Sequence, residues 1–436
     1  MPEPLDVPHH PGPAAGLGPP PAAPVPAPLL PGFPEVFDRS GTGSVKWAQA
    51  GAEQDPGRIP MGVADMDLPG FPGVFRALRE RAAHPVLGYT LPAPDGDALV
   101  VAWYRERFGA RIDPRWVVRL PFGPRSAIRF VLDALPGGGP VLAPAPEYPG
   151  FEQVVTAAGA EYQAVPLERH SSGRGYRLPV EEFEARAAGT GARAIVLSSP
   201  HNPTGRVWSA PEVRRLAAAA AGAGAVLIAD EVHSDLVHPG HEHPVAVDAA
   251  GPELAEHTVT VHSVGKTFNV SGLADTVVLV PSAELRGRLV RAVEGHGFFA
   301  GSRVLAALAQ DVALAHGLGW RDQLVEYLVG NRDLALEVLS VVPGLVASEP
   351  QASYLLWLDG SALPADPEHR PLPGRLLDAC GIDLQDGARF GPEGAGFLRL
   401  NFALPRPRLR EAVERLARYA SQRSGQHTVP RRQRQA

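Results

Sequence analysis

From Phe33 onward, short apolar runs bounded by Gly and Pro alternate with longer stretches rich in Ala, Leu and Arg that repeat with a helical period. Brief β-branched runs of this kind predict buried strands, and apolar positions three and four apart predict amphipathic helices. Strands are expected at 116–120, 140–143, 194–198, 225–229, 258–262 and 276–280, with helices such as 210–221 and 283–294 between them. That alternation is the signature of an α/β chain built on a mostly parallel sheet. A long helical stretch near 320–341 then leads to further strands around 354–358 and 397–402 and a closing helix at 408–420, which predicts a smaller α+β lobe.

The two ends break the pattern. Residues 1–32 hold twelve prolines with Ala and Gly between them, a composition that cannot bury a core and predicts a disordered leader. The tail after Ser421, ending VPRRQRQA, is basic and expected to fray. The expected division is a leader at 1–32, an N-terminal arm at 33–70, a large domain at 71–315, a small C-terminal domain at 316–421 and a tail at 422–436.

Composition narrows the function. A formal net charge of -6 over 436 residues gives no general attraction to nucleic acid or to an anionic membrane, so a small-molecule substrate is expected. Cys380 is the single cysteine, which rules out an internal disulfide and a cysteine-cluster metal site and suits a reducing cytoplasm. No stretch has the uninterrupted apolar length of a membrane span, and MPEPLDVPHH is not a signal-peptide start. Lysine occurs only twice among 41 Lys and Arg residues, at Lys46 and Lys266. Only lysine can lose its proton and attack a carbonyl, since guanidinium stays charged, so Lys266 is a candidate covalent group.

Three strings fall just after expected strands: SSPHNPTGRVW at 198–208, IADEVHSDL at 228–236 and HSVGKTFNVSGL at 262–273. In open α/β sheets that edge binds ligands. Taken singly, Asp230 also reads as a helix-capping Asp and NPTG as a tight turn. Together the strings resemble the fold-type-I pyridoxal 5'-phosphate (PLP) enzymes of the class I/II aminotransferase superfamily.

That resemblance implies a residue-by-residue assignment. Lys266 would hold the cofactor, be displaced by the substrate amine and then take the substrate's Cα proton. Asp230 would keep the pyridine nitrogen protonated, Asn202 would donate to the cofactor's phenolic oxygen, and Tyr148 in APAPEYPGF would stack on the ring. Ser263 and Gly123 would contact phosphate, and Tyr89 in LGYT would reach the phosphate of a neighbouring subunit in a homodimer. Arg399 in FLRLNFA would clamp the substrate α-carboxylate. Ser263 and Tyr148 also have plainer readings, as a loop serine bonded to local backbone and as a core tyrosine.

Further strings resemble one branch, the cystathionine β-lyase and cystalysin-like C–S lyases, which also includes a maltose-regulon modulator. They are GTGSVKW at 41–47, VADMDLP at 63–69, LGYT at 87–90, DEVHSDLVHPGHEHP at 230–244 and KTFNVSGL at 266–273. The branch implies α,β-elimination from a cysteine thioether to thiol, pyruvate and ammonia, with aminotransferase as the alternative and a regulatory protein retaining the fold as a third reading. It places Met66 and Asp67 near the substrate entrance. His233, His238, His241 and His243 fall in a histidine-bearing turn that the branch has without a metal, so no metal is expected. The chain departs from the branch at Gly62, where a Trp is common, at Gly265 and Ala274, and in the phosphate loop PFGPRSAIRF at 121–130. Arg125 in that loop reads equally as a phosphate or substrate contact and as a solvated helix arginine.

Overall fold

The computed structural model describes residues 33, 35–88, 90, 93–273, 275–298, 303–364 and 370–425. The leader, Tyr89, Ala274 and the end of the tail lie outside the described residues. A seven-stranded sheet forms the centre: β1 (Val117–Leu120), β2 (Val141–Ala145), β3 (Tyr162–Pro166), β4 (Ala194–Ser198), β5 (Val226–Asp230), β6 (Thr258–His262) and β7 (Thr276–Leu279). Across the sheet they run β1-β7-β6-β5-β4-β2-β3, all parallel except β7, which is antiparallel to both its neighbours.

Every residue of β2, β4, β5 and β6 is buried, as strands covered on both faces must be, and this is why they read as unbroken apolar runs. One face packs against helices Pro124–Ala134 and Ala283–Gly295 through Ile128, Val131, Leu285 and Leu289. The other packs against helices Val180–Thr190 and Ala210–Gly222 through Phe183, Val213 and Leu216. Ser209 and Glu212 close a capping box on the second of these helices. Strand β3 was not among the strands read from the pattern. It is an edge strand, mostly half-buried, and so lacks the apolar run that marks its neighbours.

Two consequences position the site. The register sets Ser198 opposite Asp230 and Asp230 opposite Val261, so the carboxyl ends of β4, β5 and β6 align along one edge. After β2 the chain turns outward to β3 and returns on the other side of β2 as β4, which opens a crevice between the loops that follow those two strands.

A four-stranded antiparallel sheet stands apart from the first, with Leu355–Asp359 and Phe397–Asn401 as its central pair and Trp357 opposite Arg399. The long helix Leu318–Leu339 and the closing helix Arg406–Gly425 accompany it, and Asn331 on the first donates to the Phe402 and Leu404 carbonyls at 3.0 and 2.8 Å. The N-terminal segment joins this region through Ile59–Pro60, which pairs in parallel with Ile382–Asp383.

Candidate active site

A cavity of about 610 Å³ lies over the carboxyl edge of the central sheet. Tyr148, Asn202, Asp230, Ser263, Lys266, Gly123 and Arg399 all line it, so seven of the eight residues singled out from the sequence converge; Tyr89 lies outside the described residues.

Asp230 ends β5 at the cavity floor, 8% exposed, and accepts a hydrogen bond from the Val232 N–H at 3.2 Å. Burial pushes its carboxyl up to about 7, opposed by that hydrogen bond and by the charge of Lys266. Lys266 sits in the turn after β6, and its Nζ donates to the Ala64 carbonyl at 2.6 Å. Burial, with the nearby charge of Arg399, pulls the amine down to about 8 against the opposing pull of Asp65 and Asp230. An amine so placed loses its proton far more readily than a surface lysine.

The turn is held from below. Thr267 Oγ1 donates to Asp235 Oδ2 at 3.0 Å, and the same carboxylate takes the Trp103 indole N–H at 3.0 Å and contacts His262 Nε2 at 3.1 Å. The residues next to Lys266 and Ser263 are thus tied to one buried anion.

Arg399 is 4% exposed. Its Nη1 donates to Asn202 Oδ1 and its Nη2 to the Gly62 carbonyl, both at 2.9 Å, and the guanidinium lies 5.0 Å over the Phe390 ring. Its Nε has no partner, and no carboxylate lies within ion-pair distance of it among the described residues. Burial lowers it only to about 10, so it remains a cation at neutral pH. A buried cation with only neutral partners fits a carboxylate brought by a ligand. The bond to Asn202 also fixes that amide, leaving its Nδ2 as the donor for the cavity.

Tyr148 follows the end of β2, on the far side of the crevice from Asn202. The buried Glu147 joins the two loops, accepting from the Tyr148 N–H and from Ser198 Oγ, each at 2.7 Å. Gly123 caps helix Pro124–Ala134, whose proline at the first position starts it at the cavity wall, and the Gly123 carbonyl takes the Ser126 and Ala127 N–H groups at 3.0 and 3.2 Å. Arg125 is exposed at the rim and donates to Gln153 Oε1 at 3.2 Å. Ser263 lines the cavity, but its hydroxyl donates to the Asp275 carbonyl at 2.8 Å and accepts from the Gly265 N–H at 3.3 Å. These are the local backbone bonds of its plainer reading.

The entrance placement of Met66 and Asp67 needs correction, because neither lines the cavity. Asp67 Oδ2 pairs with the fully buried Lys46 at 3.0 Å and its Oδ1 with Arg39 at 2.7 Å. It is Val63 and Ala64 of the same string that face the cavity.

The segment 62–68 is suspended by side chains rather than by a strand ladder. Besides the bonds from Arg399 to Gly62 and from Lys266 to Ala64, Asn401 Nδ2 donates to the Val63 and Asp65 carbonyls at 2.7 and 2.6 Å, and Lys46 Nζ to the Asp65 carbonyl at 3.1 Å. Asn269 Nδ2 donates to the Met66 and Leu68 carbonyls at 3.0 and 2.8 Å, and its Oδ1 accepts from the Met66 N–H at 3.2 Å. Asn269 reaches them from a left-handed backbone with φ of 55°, a conformation Asn tolerates better than most residues. A Cβ at Gly62 would stand 2.7 Å from Asp383 Oδ2, so a larger residue there requires that carboxylate to move.

Of the four histidines, His233 lines the cavity, with its Nδ1 3.1 Å from Ser353 Oγ. The ring nitrogens of His238 lie 3.0 and 2.8 Å from the Pro350 and Ser353 carbonyls, and His243 faces Glu231 at 3.1 Å. These three are engaged by such contacts, and no group of three or more metal-binding side chains gathers at one point among the described residues. Residue-level reasoning missed His233, Ser271, Ser126 and Arg389 as cavity-lining groups, although the first three stand inside strings already singled out.

The family model described as aminotransferase class I and II matches residues 123–416. Cystathionine beta-lyase PatB of Bacillus subtilis is 32% identical over 390 residues, which cover 88% of this chain and 98% of the relative. Cystalysin from Treponema denticola, whose crystal structure contains pyridoxal 5'-phosphate, superposes with a TM-score of 0.82 at 25% identity, covering 88% of this chain and 98% of that one. N-succinyldiaminopimelate aminotransferase from Mycobacterium tuberculosis follows the same fold with a TM-score of 0.76 at 26% identity, covering 87% and 98%. With the matched region spanning the sheet edge, the Lys266 turn and Arg399, this chain belongs to the class I and II aminotransferase family.

Proposed function

We propose that the protein is a PLP-dependent carbon–sulfur β-lyase that cleaves a cysteine thioether to a thiol, pyruvate and ammonia. One observation carries the amino-acid end of this reading: Arg399, buried and with no carboxylate partner, faces the same cavity as a lysine whose amine is pulled down to about 8. Among its relatives, cystathionine beta-lyase PatB and cystalysin support the lyase outcome.

The residues present fit the cofactor. Asp230 would pair with its ring nitrogen, Asn202 Nδ2 would donate to its phenolic oxygen, and Tyr148 would cover its ring. The amides at Gly123, with Arg125 beside them, would take its phosphate, and Lys266 would hold it covalently. Ser263 would join the phosphate contacts by turning its hydroxyl from the Asp275 carbonyl. When bound, PLP supplies a sink for the electrons released at the substrate's Cα.

The chain supplies the rest. Arg399 binds the α-carboxylate through the Nη and Nε donors and so orients the Cα–H bond toward Lys266. Lys266 Nζ takes the Cα proton, and the thiolate departs from Cβ. Asp230 keeps a negative charge beside the ring nitrogen and thereby holds a proton there. The suspended segment contributes Val63 and Ala64 to the cavity wall beside these groups.

We further propose a homodimer working in the cytoplasm. Val36, Phe37, Val45, Phe75, Val86 and Leu87 are exposed apolar side chains of the N-terminal region, and Val45 also lines the cavity, so a second copy would cover them and complete the site. Among the described residues no helix is long and apolar enough to cross a membrane.

The test is product analysis with the holoenzyme and S-alkylcysteines, in the absence of any 2-oxo acid. Equimolar pyruvate, ammonia and thiol over many turnovers is expected. Turnover that stops after one equivalent and resumes when a 2-oxo acid is added would establish the aminotransferase alternative, which the M. tuberculosis structure keeps in view.

A further inference from the structure

The charges lining the cavity do not balance for a simple cysteine thioether. Arg125, Arg389, Arg399 and Lys266 contribute positive groups, against the single carboxylate of Asp230. On the reading above, Lys266 and Asp230 belong to the cofactor, Arg125 stands at the helix end that receives phosphate, and Arg399 takes the α-carboxylate. Arg389 is left without an assigned anion.

Its surroundings say which side it serves. Arg389 lies in the short helical turn Gly387–Phe390, next to the ring on which the Arg399 guanidinium rests at 5.0 Å. The turn is fastened to the crevice, because the Glu147 N–H donates to the Phe390 carbonyl at 2.9 Å. Arg389 is therefore on the substrate side of the cavity, whereas Arg125 stands at the helix Pro124–Ala134 and is bonded to Gln153. Among the described residues no carboxylate lies within ion-pair distance of the Arg389 guanidinium, and its nearby charge acts on Arg399 as an unfavourable like charge. The polar residues beside it on this wall include the neutral Gln385.

We propose that Arg389 makes the site selective for cysteine S-conjugates that carry a second acidic group beyond the sulfur, with Arg399 holding the α-carboxylate and Arg389 the distal anion. This rests on the lyase reading for the identity of the reacting end. A dianionic substrate neutralises both arginines at once, and the exposure of Arg389 places the distal group at the cavity mouth. Because that contact is partly solvated, the selectivity it gives is about tenfold rather than thousandfold.

The experiment compares S-carboxyethylcysteine, S-propylcysteine and S-aminoethylcysteine with the holoenzyme and with its Arg389→Gln, Arg389→Ala and Arg389→Glu variants. The wild type is expected to favour the carboxyethyl over the propyl conjugate in kcat/KM by about tenfold. That ratio should fall to within about twofold in Arg389→Gln and Arg389→Ala, and Arg389→Glu should turn the preference toward the aminoethyl conjugate. A wild-type ratio near one, or a tenfold ratio that survives removal of the guanidinium, overturns the proposal while leaving the lyase reading intact. If no conjugate is cleaved, calorimetric binding to the holoenzyme decides instead. Tighter binding of the carboxyethyl compound that is lost in Arg389→Gln upholds acid selection with the lyase reading discarded, and equal binding of the three overturns it.

Discussion

The two walls of the cavity are built by different physics. The floor, carrying Asn202, Asp230, Ser263 and Lys266, follows directly from three parallel strands whose register aligns their carboxyl ends. The opposite wall is made by Val63 and Ala64, whose segment 62–68 has no such ladder and hangs mainly from Lys46, Lys266, Asn269, Arg399 and Asn401. The floor is robust because its backbone hydrogen bonds are spread over the whole sheet, whereas the roof depends on a few side chains, some of which also face the chemistry. Lys266 and Arg399 belong to both walls, so the roof reports on the state of the reacting groups.

Removal of Lys266 should be the most damaging change. Lys266→Ala deletes the amine that would hold the cofactor and move the Cα proton, and turnover should drop about ten-thousandfold or more. Steady-state pyruvate release measures this, and a variant retaining a tenth of wild-type turnover would end the assignment. The same variant loses the bond to Ala64, so limited proteolysis at 62–68 should speed up while cleavage near the sheet stays unchanged.

Lys46 tests the roof without touching the floor. It is 0% exposed and pairs with Asp67 at 3.0 Å, so Lys46→Met leaves buried carboxylate charge short of a partner. Breaking such a pair costs about 3–5 kcal/mol, and the remaining Arg39 contact puts the expectation near the lower end, about 3 kcal/mol in denaturant unfolding. A loss below about 1 kcal/mol would mean that Arg39 alone suffices.

Asn269 should matter less. Asn269→Ala removes three hydrogen bonds to Met66 and Leu68 and puts a residue that tolerates left-handed backbone less well than Asn at this position, together worth about 2–3 kcal/mol. Asn269→Gly keeps the conformation and loses only the bonds, so it should recover about 1 kcal/mol of that. Equal losses in the two variants would show that the backbone conformation contributes nothing.

The same contrast explains what the sequence made legible. The floor residues sit in short strings directly after buried strands, so apolar patterning and local motif chemistry locate them together, as with Asp230 at the end of β5. The roof is joined by side-chain to backbone bonds between residues far apart in the chain: Lys266 with Ala64, Arg399 with Gly62, Asn401 with Asp65. No periodicity encodes such a pairing. For that reason Lys46 was recognisable only as part of a string, and Asp67 was expected at the entrance when it is the buried partner of Lys46. Arg389 escaped notice because an exposed arginine in an Arg-rich chain carries no local signal, and only the cavity gives it meaning.

The gentlest probe of the floor is pH. Burial raises the Asp230 carboxyl to about 7, so between the ordinary carboxylate range and that value the folded apoprotein keeps a proton that the unfolded chain has released. The folded state then binds more protons, and Asp230 subtracts stability as pH rises through this window. Asp230→Asn removes the effect, so the unfolding free energy of the variant should gain on that of the wild-type apoprotein from pH about 5 to about 7. A full shift would give about 1.4 kcal/mol per pH unit; with water entering the open cavity, a total of about 1–2 kcal/mol is expected. Bound cofactor reverses the sign of the test, because a protonated ring nitrogen beside Asp230 stabilises the carboxylate and makes Asp230→Asn the weaker holoenzyme. Denaturant titrations of both forms at the two pH values check this. Parallel curves for the apoproteins would show that Asp230 is already ionised without a partner, and that the floor is wetter than its burial implies.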